Sequence, residues 1–351
     1  MANYLYVRGI RQVDHTVFGV DSGQKNYRDP LSGRPMPYSS GQQVKRSLLD
    51  YLSDELGEQR APITFNYEIS KKGNKASIGQ KEPWNPCNPS FADQLIGGWM
   101  RAKKGQGAIK RRSALSISAM RPLHPSLANL ENDESGTFDR SDNPSQHKIQ
   151  VRDEKGELLS EEEITKLLNE ENRSLPLRNW LKMGPRANGI FVYDIAIDLD
   201  RIFKISTNQY DPELTSDRIE ELKEAGWKED GDYLLVPPAR QKEIISALAT
   251  AIVNWRITSN QSRTFSPQGN LAIAISKNAN KIVNAIRADL DNASEQHKYK
   301  AHAVIDNSIQ EVDVFVSLSA QGYIPNIAGT ATALDDAEAK LKSILEGVII
   351  S

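Results

Sequence analysis

Residues 190–205 read IFVYDIAIDLDRIFKI, the most apolar stretch of the chain, with Ile190, Val192, Ile195, Ile197, Leu199 and Ile202 as its recurring apolar positions. A run of that length and composition between polar segments predicts a strand. On its N-terminal side, Tyr4–Val20 alternates around Tyr4, Tyr6, Val13, Val17, Phe18 and Val20 as one or two strands, and Ala114–Met120 alternates through Leu115, Ile117 and Ala119. Ile63–Ile69 reads as a further strand with Ile63, Phe65, Tyr67 and Ile69 on one side. A helix is expected over 41–56, capped by Ser39 or Ser40, stopped by Gly57, and apolar along Val44, Leu48, Leu49 and Leu52. C-terminal to the quoted stretch come a strand at Tyr233–Val236 and a helix over 239–257 with Ile244, Ile245, Leu248, Ile252 and Val253 inward. A strand at Asn270–Ser276, a short helix at Ile282–Leu290, a strand at Ile309–Leu318 and a helix at Ala333–Leu345 complete the chain. The core order is strand, helix, strand, strand, helix, strand: an α+β chain of ferredoxin-like, β-α-β-β-α-β pattern with large insertions.

Charge is divided by position. Residues 1–130 hold 19 Lys/Arg against 10 Asp/Glu and residues 131–351 hold 25 against 36, which nearly cancel to the net −2 of the whole. The densest cluster is Arg101, Lys103, Lys104, Lys110, Arg111 and Arg112, six cations in twelve residues with no acid between them. Such a block can follow a polyphosphate backbone. The organisation expected is a sheet core of 1–69, 113–130 and 190–351, a basic insertion at 70–112, a polar and acidic arm at 131–189 carrying a short helix near Glu161–Asn169, and a polar insertion at 206–232.

Enzyme classes find little support. The single cysteine, Cys87, precludes an internal disulfide and sits in a proline-punctuated turn, Trp84–Pro89, without an activating cation. His15, His124, His147, His297 and His302 show no metal-ligand spacing, and there is no phosphate-binding loop or serine elbow. No cofactor and no metal are expected. Met1–Ile10 has no apolar leader and no run approaches membrane-spanning length, so a cytoplasmic protein is expected.

Several segments resemble, in order, one family. They are RPMPYSSGQQVKRSLL (34–49), SFADQLIGG (90–98), RSALSISAMRPLHP (112–125), FVYDIAIDLDR (191–201), SNQSRTF (259–265) and NLAIAIS (270–276). The resemblance is to the repeat-associated RNA-binding superfamily, and within it to the backbone subunit of type I CRISPR Cascade complexes. It implies an RNA-recognition-type palm (1–69, 113–130 and 190–351), a basic finger (70–112), a thumb (131–189), and several copies polymerised head to tail along a guide RNA. The partners implied are CRISPR guide RNA, target nucleic acid (DNA expected), further copies of the chain and other Cascade subunits, with no membrane.

By that resemblance Gln42, Gln43, Lys45 and Arg46 contact the guide at a helix N-terminus, where free N–H groups favour phosphate. Lys103, Lys104, Lys110, Arg111 and Arg112 form the basic finger, Gln261 and Arg263 the loop after the second helix, and Trp180 and Met183 a wedge between bases. Tyr4 and Tyr6 read as core more than as a stacking platform. The alternative is a type III-like backbone subunit that cuts target RNA with an Asp after the first strand. Here that loop carries Asp21 and Asp29 with Gly23 at the expected acid, so a non-catalytic protein is expected.

Overall fold

Alternation carries one set of side chains in residues 190–197 to each side of a sheet. The computed structural model builds its largest sheet around that strand. It describes residues 3–19, 23–30, 32–72, 75–103, 106–131, 136–138, 150–170, 179–181, 185–258, 264–291 and 300–349. The chain divides into two units, residues 1–130 with 187–351, and residues 131–186.

In chain order the elements are β1 (Tyr4–Thr16), the hairpin β2 (Asn26–Arg28) and β3 (Pro35–Pro37), α1 (Gly41–Glu55), and the hairpin β4 (Tyr67–Lys72) and β5 (Lys75–Gln80). Then come α2 (Ala92–Gly97), the hairpin β6 (Trp99–Lys103) and β7 (Gln106–Arg111), β8 (Leu115–Ile117), β9 (Arg121–Pro122) and β10 (Ala128–Glu131). The smaller unit holds β11 (Gly136–Phe138), α3 (Glu161–Glu170) and β12 (Asn179–Leu181). The chain continues with β13 (Arg186–Asp198), β14 (Lys204–Ser206), α4 (Ser216–Glu224), β15 (Lys228–Asp230), β16 (Tyr233–Leu235) and α5 (Pro238–Asn254). It ends with β17 (Asn270–Ser276), α6 (Ala279–Ala285), β18 (Ile286–Leu290), β19 (Ala301–Ile305), β20 (Asp313–Val316) and α7 (Ala333–Glu346).

The main sheet runs β10–β13–β1–β17–β20, with β8 and β9 also paired to β13. β1 lies antiparallel between β13, where Val7 faces Ile195, and β17, where Val7 faces Ile275. Side chains alternate across the pleat, so Leu5, Val7, Tyr193, Ile195, Ile197, Ile273 and Ile275 share one face. That face packs on α1 through Val44, Leu48 and Leu52 and on α5 through Ile244, Leu248 and Ile252, with Leu341 and Leu345 of α7 in the same core. The opposite face buries Ile10, Val192, Ala272 and Ala274 under Ile282 of α6 and Ile286, Ala303 and Ile305 of the β18–β19 hairpin. Arg11 is the exception on the first face: fully buried, it lies 3.8 Å over the Trp255 ring and donates to Asn270 Oδ1 (2.8 Å) and the Trp255 carbonyl (2.7 Å).

Several expectations are corrected. Ile63–Ile69 is not a core strand: Ile63, Phe65, Tyr67 and Ile69 are all exposed, on and leading into the β4–β5 hairpin, because their period of two fits a two-stranded ribbon as well as a sheet. The 190–205 run breaks after Asp198, where Asp198 accepts the amide of Ile202 in a turn, and resumes as β14. Residues 282–290 are not one helix. Asn278 caps α6, which ends at Ala285, and Ile286–Leu290 pairs antiparallel with β19. The 206–232 segment is not wholly polar insertion, since Leu214, Leu222 and Trp227 are buried and β14, β15 and β16 form a three-stranded sheet. In the smaller unit Thr137 pairs opposite Trp180, and α3 begins on a reciprocal Ser160–Glu163 cap.

Candidate nucleic-acid interface

The start of α1 is set by Ser40, whose hydroxyl accepts from the Gln43 amide, and by Gly41, where a Cβ would stand 2.9 Å from the Ile117 carbonyl oxygen. A side chain at Gly41 would therefore push the helix off β8. Beyond it the helical period of 3.6 divides the four matched residues into two pairs. Gln43 is buried and accepts from the Ser39 hydroxyl at 3.0 Å. Lys45 donates to the Gly97 carbonyl (2.8 Å) and the Ser113 hydroxyl (2.7 Å), and burial draws its ammonium below the usual lysine range. These two tie α1 to the chain beside it. Gln42 and Arg46 are exposed; Arg46 approaches Asp50 only to 3.6 Å, while Asp50 is held at 2.6 Å by Arg60.

Gln42 and Arg46 open onto a cleft of about 590 Å³ that also gathers Lys25, Asp50, Arg256 and Thr258. Arg256 is half-buried and donates to the Asn254 and Trp255 carbonyls, and burial lowers its guanidinium below the usual range. Three cations thus share one cleft along α1 with two acids, Asp50 and Asp54, of which Asp50 is also paired with Arg60 at 2.6 Å. Thr258 is the last described residue before the loop of Gln261 and Arg263, both of which lie outside the described residues. Lys25 and Arg256 were missed from sequence. The signal was slight: one lysine in a Gly/Asp/Pro-rich loop, and one arginine two residues past α5, some 200 residues from α1.

The basic block is divided in the same way. Because β7 is a strand, neighbours point to opposite sides. Lys110 is exposed with Nζ 3.4 Å from Asp211, and Arg112 is exposed. Arg111 turns inward, and the finger reading of it is corrected. Its side chain is fully buried, and it donates to Glu213 Oε2 (2.9 Å) and to the carbonyls of Leu95 (3.3 Å), Lys204 (2.8 Å) and Arg201 (2.7 Å). Burial lowers its guanidinium while Glu213 pulls it back up. The Lys103 side chain, Lys104, the Trp180 side chain and Met183 lie outside the described residues.

Two of the groups weighed for catalysis, Cys87 and Asp29, lie among the described residues. Burial raises the Cys87 thiol, which lies 3.1 Å from Asn85 Oδ1. Asp29 is buried and its Oδ2 accepts the Ser32 amide (2.7 Å) in the β2–β3 turn; Asp21 lies outside the described residues. Among the described residues no group of three or more His, Cys, Asp or Glu is placed to hold a metal ion, and no helix is long and apolar enough to cross a membrane.

No family model matches the chain, and no curated protein matches it. Among solved structures it is similar to a chain of a "CRISPR RNA-guided surveillance complex, pre-nicking", with 9% identity and a TM-score of 0.44 over 98% of this chain and 89% of that one. It is also similar to a chain of a "CRISPR RNA-guided surveillance complex", with 12% identity and a TM-score of 0.41 over 96% of this chain and 99% of that one.

Proposed function

We propose that the chain is a non-catalytic RNA-binding backbone subunit that lines up in several copies along a CRISPR guide RNA in a type I Cascade complex, in the cytoplasm, and presents the guide for pairing with target DNA. The observation that carries the reading is the cleft at the start of α1. There Gln42 and Arg46, from the motif-bearing segment 34–49, meet Lys25 and Arg256, brought from elsewhere in the sequence. Cations beside a helix start bind phosphate without reading bases, which suits a protein whose sequence recognition is delegated to the guide. The palm is ferredoxin-like in this reading. Taking β8–β10 as the second strand, β13 as the third and β17 as the fourth, the order fourth–first–third–second agrees with β17–β1–β13–β8/β9/β10, with α1 and α5 on one face.

The commitment of Asp29 to a turn favours the non-catalytic form over a type III-like target-RNA nuclease. Copies meet head to tail, an arrangement that leaves an open filament. The test is the nucleic acid that accompanies the purified protein. RNA tens of nucleotides long, held in a salt-sensitive way and uncut by added magnesium, is the expected result. Protein that neither carries RNA nor binds it at low salt would overturn the proposal.

A further inference from the structure

The chain leaves α5 at Trp255, whose φ of −53° and ψ of 149° are no longer helical. The last carbonyls of a helix lack intrahelical partners and carry its partial negative charge. Here two arginines and an asparagine meet them. Arg11 of β1 donates to the carbonyls of Val253 (3.4 Å) and Trp255 (2.7 Å), and Asn270 Nδ2 of β17 donates to that of Val253 (2.6 Å). Arg256 donates to the carbonyls of Asn254 and Trp255, both at 2.9 Å. The Trp255 oxygen thus accepts twice, from the fully buried Arg11 and from Arg256, which lines the cleft.

Arg11 is held on every side. Its Nε donates to Asn270 Oδ1 (2.8 Å), and its guanidinium lies 3.8 Å from the centre of the Trp255 ring and 5.0 Å from that of Tyr193. Tyr193 donates to the same Asn270 oxygen (3.2 Å), and its ring passes over Gly9, where a Cβ would stand 2.3 Å from Cζ. Among the described residues no carboxylate bonds to Arg11. Burial lowers its guanidinium to about 10, so it stays charged at neutral pH. A buried charge without a counter-ion costs stability, which an apolar side chain of similar volume would not.

What the charge holds is the chain beyond α5. The Ile257 amide donates to Gln268 Oε1 (3.3 Å), and Gln268 Nε2 donates to the Ile257 carbonyl (3.1 Å), closing the base of the loop that carries Gln261 and Arg263. The anchored carbonyl, the cleft cation and the loop base are consecutive residues, Trp255, Arg256 and Ile257.

We propose that Arg11 is a positioning residue for RNA: from within the core it fixes the Trp255 carbonyl, and through it seats the Arg256 guanidinium in the cleft against a phosphate. The proposal deepens the guide-binding reading above and rests on it for the phosphate. Arg11 itself never touches the RNA.

The test compares Arg11→Met, Arg256→Gln and the double variant with Arg111→Met, whose lost cation is also buried but lies outside the cleft. RNA affinity is read across salt, well below every melting temperature. Arg11→Met should bind RNA three- to thirtyfold more weakly with a salt slope smaller by about 0.7, the loss expected of Arg256→Gln itself. The double variant should be no more than about twofold weaker than Arg256→Gln, because both changes remove one contact. Arg111→Met should keep the wild-type slope. Arg11→Lys keeps the charge but not the fork, so it should share the deficit of Arg11→Met. A wild-type slope in Arg11→Met, full additivity in the double variant, or full rescue by Arg11→Lys would each overturn the proposal. The same cycle run with Arg11→Lys, the milder change, decides the question if Arg11→Met does not fold. A second measurement needs no RNA: amide exchange over residues 255–268 should rise at least tenfold in Arg11→Met and not in Arg111→Met, and equal rises in both would overturn the positioning role. Wild-type RNA binding by Arg256→Gln would refute the guide-binding reading of the cleft, while the exchange measurement still decides whether Arg11 holds this segment.

Discussion

Replacing Arg111 by Met separates a structural cation from an RNA-contacting one within a single basic run. Arg111 has an exposed neighbour in sequence on each side but is itself buried, with Glu213 also buried and accepting from its Nη1 at 2.9 Å. Methionine matches much of the volume, so little cavity forms. What is lost is the charge beside Glu213 and the donors to three carbonyls, those of Leu95, Lys204 and Arg201. Breaking a buried pair from one side costs about 3–5 kcal/mol, because the remaining charge is left uncompensated. Arg201 Nη1, at 3.5 Å from Glu213 Oε1, and the Ser206 amide, at 2.9 Å from Oε2, still reach that carboxylate and hold the cost to the lower part of the range. For a unit this large each kcal/mol lowers the melting temperature by about 2 °C, so a fall of about 6–8 °C is expected. The assay pairs a thermal melt with RNA affinity across salt. Arg111→Met should lower the melting temperature and leave the salt slope unchanged, whereas Lys110→Glu should leave the melt within a degree or so and reduce the slope by about 0.7 for one lost phosphate contact. Wild-type melting with weakened RNA binding in Arg111→Met would refute the assignment of Arg111 to the interior.

Arg46→Glu and Arg256→Gln should each weaken RNA binding alike for all sequences, by roughly three- to thirtyfold at low salt, measured by fluorescence anisotropy on two unrelated RNAs; a loss limited to one RNA would show base reading instead. Asp29→Ala should leave any handling of target RNA unchanged and lower stability by about 1 kcal/mol through the lost turn bond to the Ser32 amide, checked by a cleavage assay with magnesium beside a denaturant melt. His124 accepts the Ser126 amide through Nδ1 (3.1 Å), and burial draws its pKa below the ordinary histidine value. The unfolded chain then binds the proton more readily, so stability is lost as pH falls through the ordinary value near 6.5 towards the lower folded one. Between pH 7 and pH 5 the wild type should lose melting temperature relative to His124→Asn, whose amide oxygen accepts the same bond without titrating.

How far the site was legible follows from the elements that carry it. Residues 34–49 declared a loop, a cap and an amphipathic helix, and Ser40 does cap α1. The same stretch could not say that Lys45 would spend its donors on Gly97 and Ser113, because those residues reach α1 only through α2 and the turn after β7. The run at 101–112 was read as one surface because charge density carries no direction. Once it becomes a strand, Lys110 and Arg112 face outward and Arg111 inward. Ile63–Ile69 misled for a related reason: alternation reports that a segment has two faces, not that either is covered.

Local physics, then, determined the extended β1 and β13, the cap of α1, the apolar stripes of α1 and α5, and the opposed charge of the two halves, since period, turn residues and charge are properties of neighbours along the chain. Tertiary structure decided what depends on neighbours in space. It set β1 between β13 and β17, joined Lys25 and Arg256 to Gln42 and Arg46 in one cleft, sent Arg111 inward to Glu213, and left the β4–β5 hairpin with its apolar side bare. Burial and pairing are set by which surfaces meet across hundreds of residues, and no window along the chain contains that information.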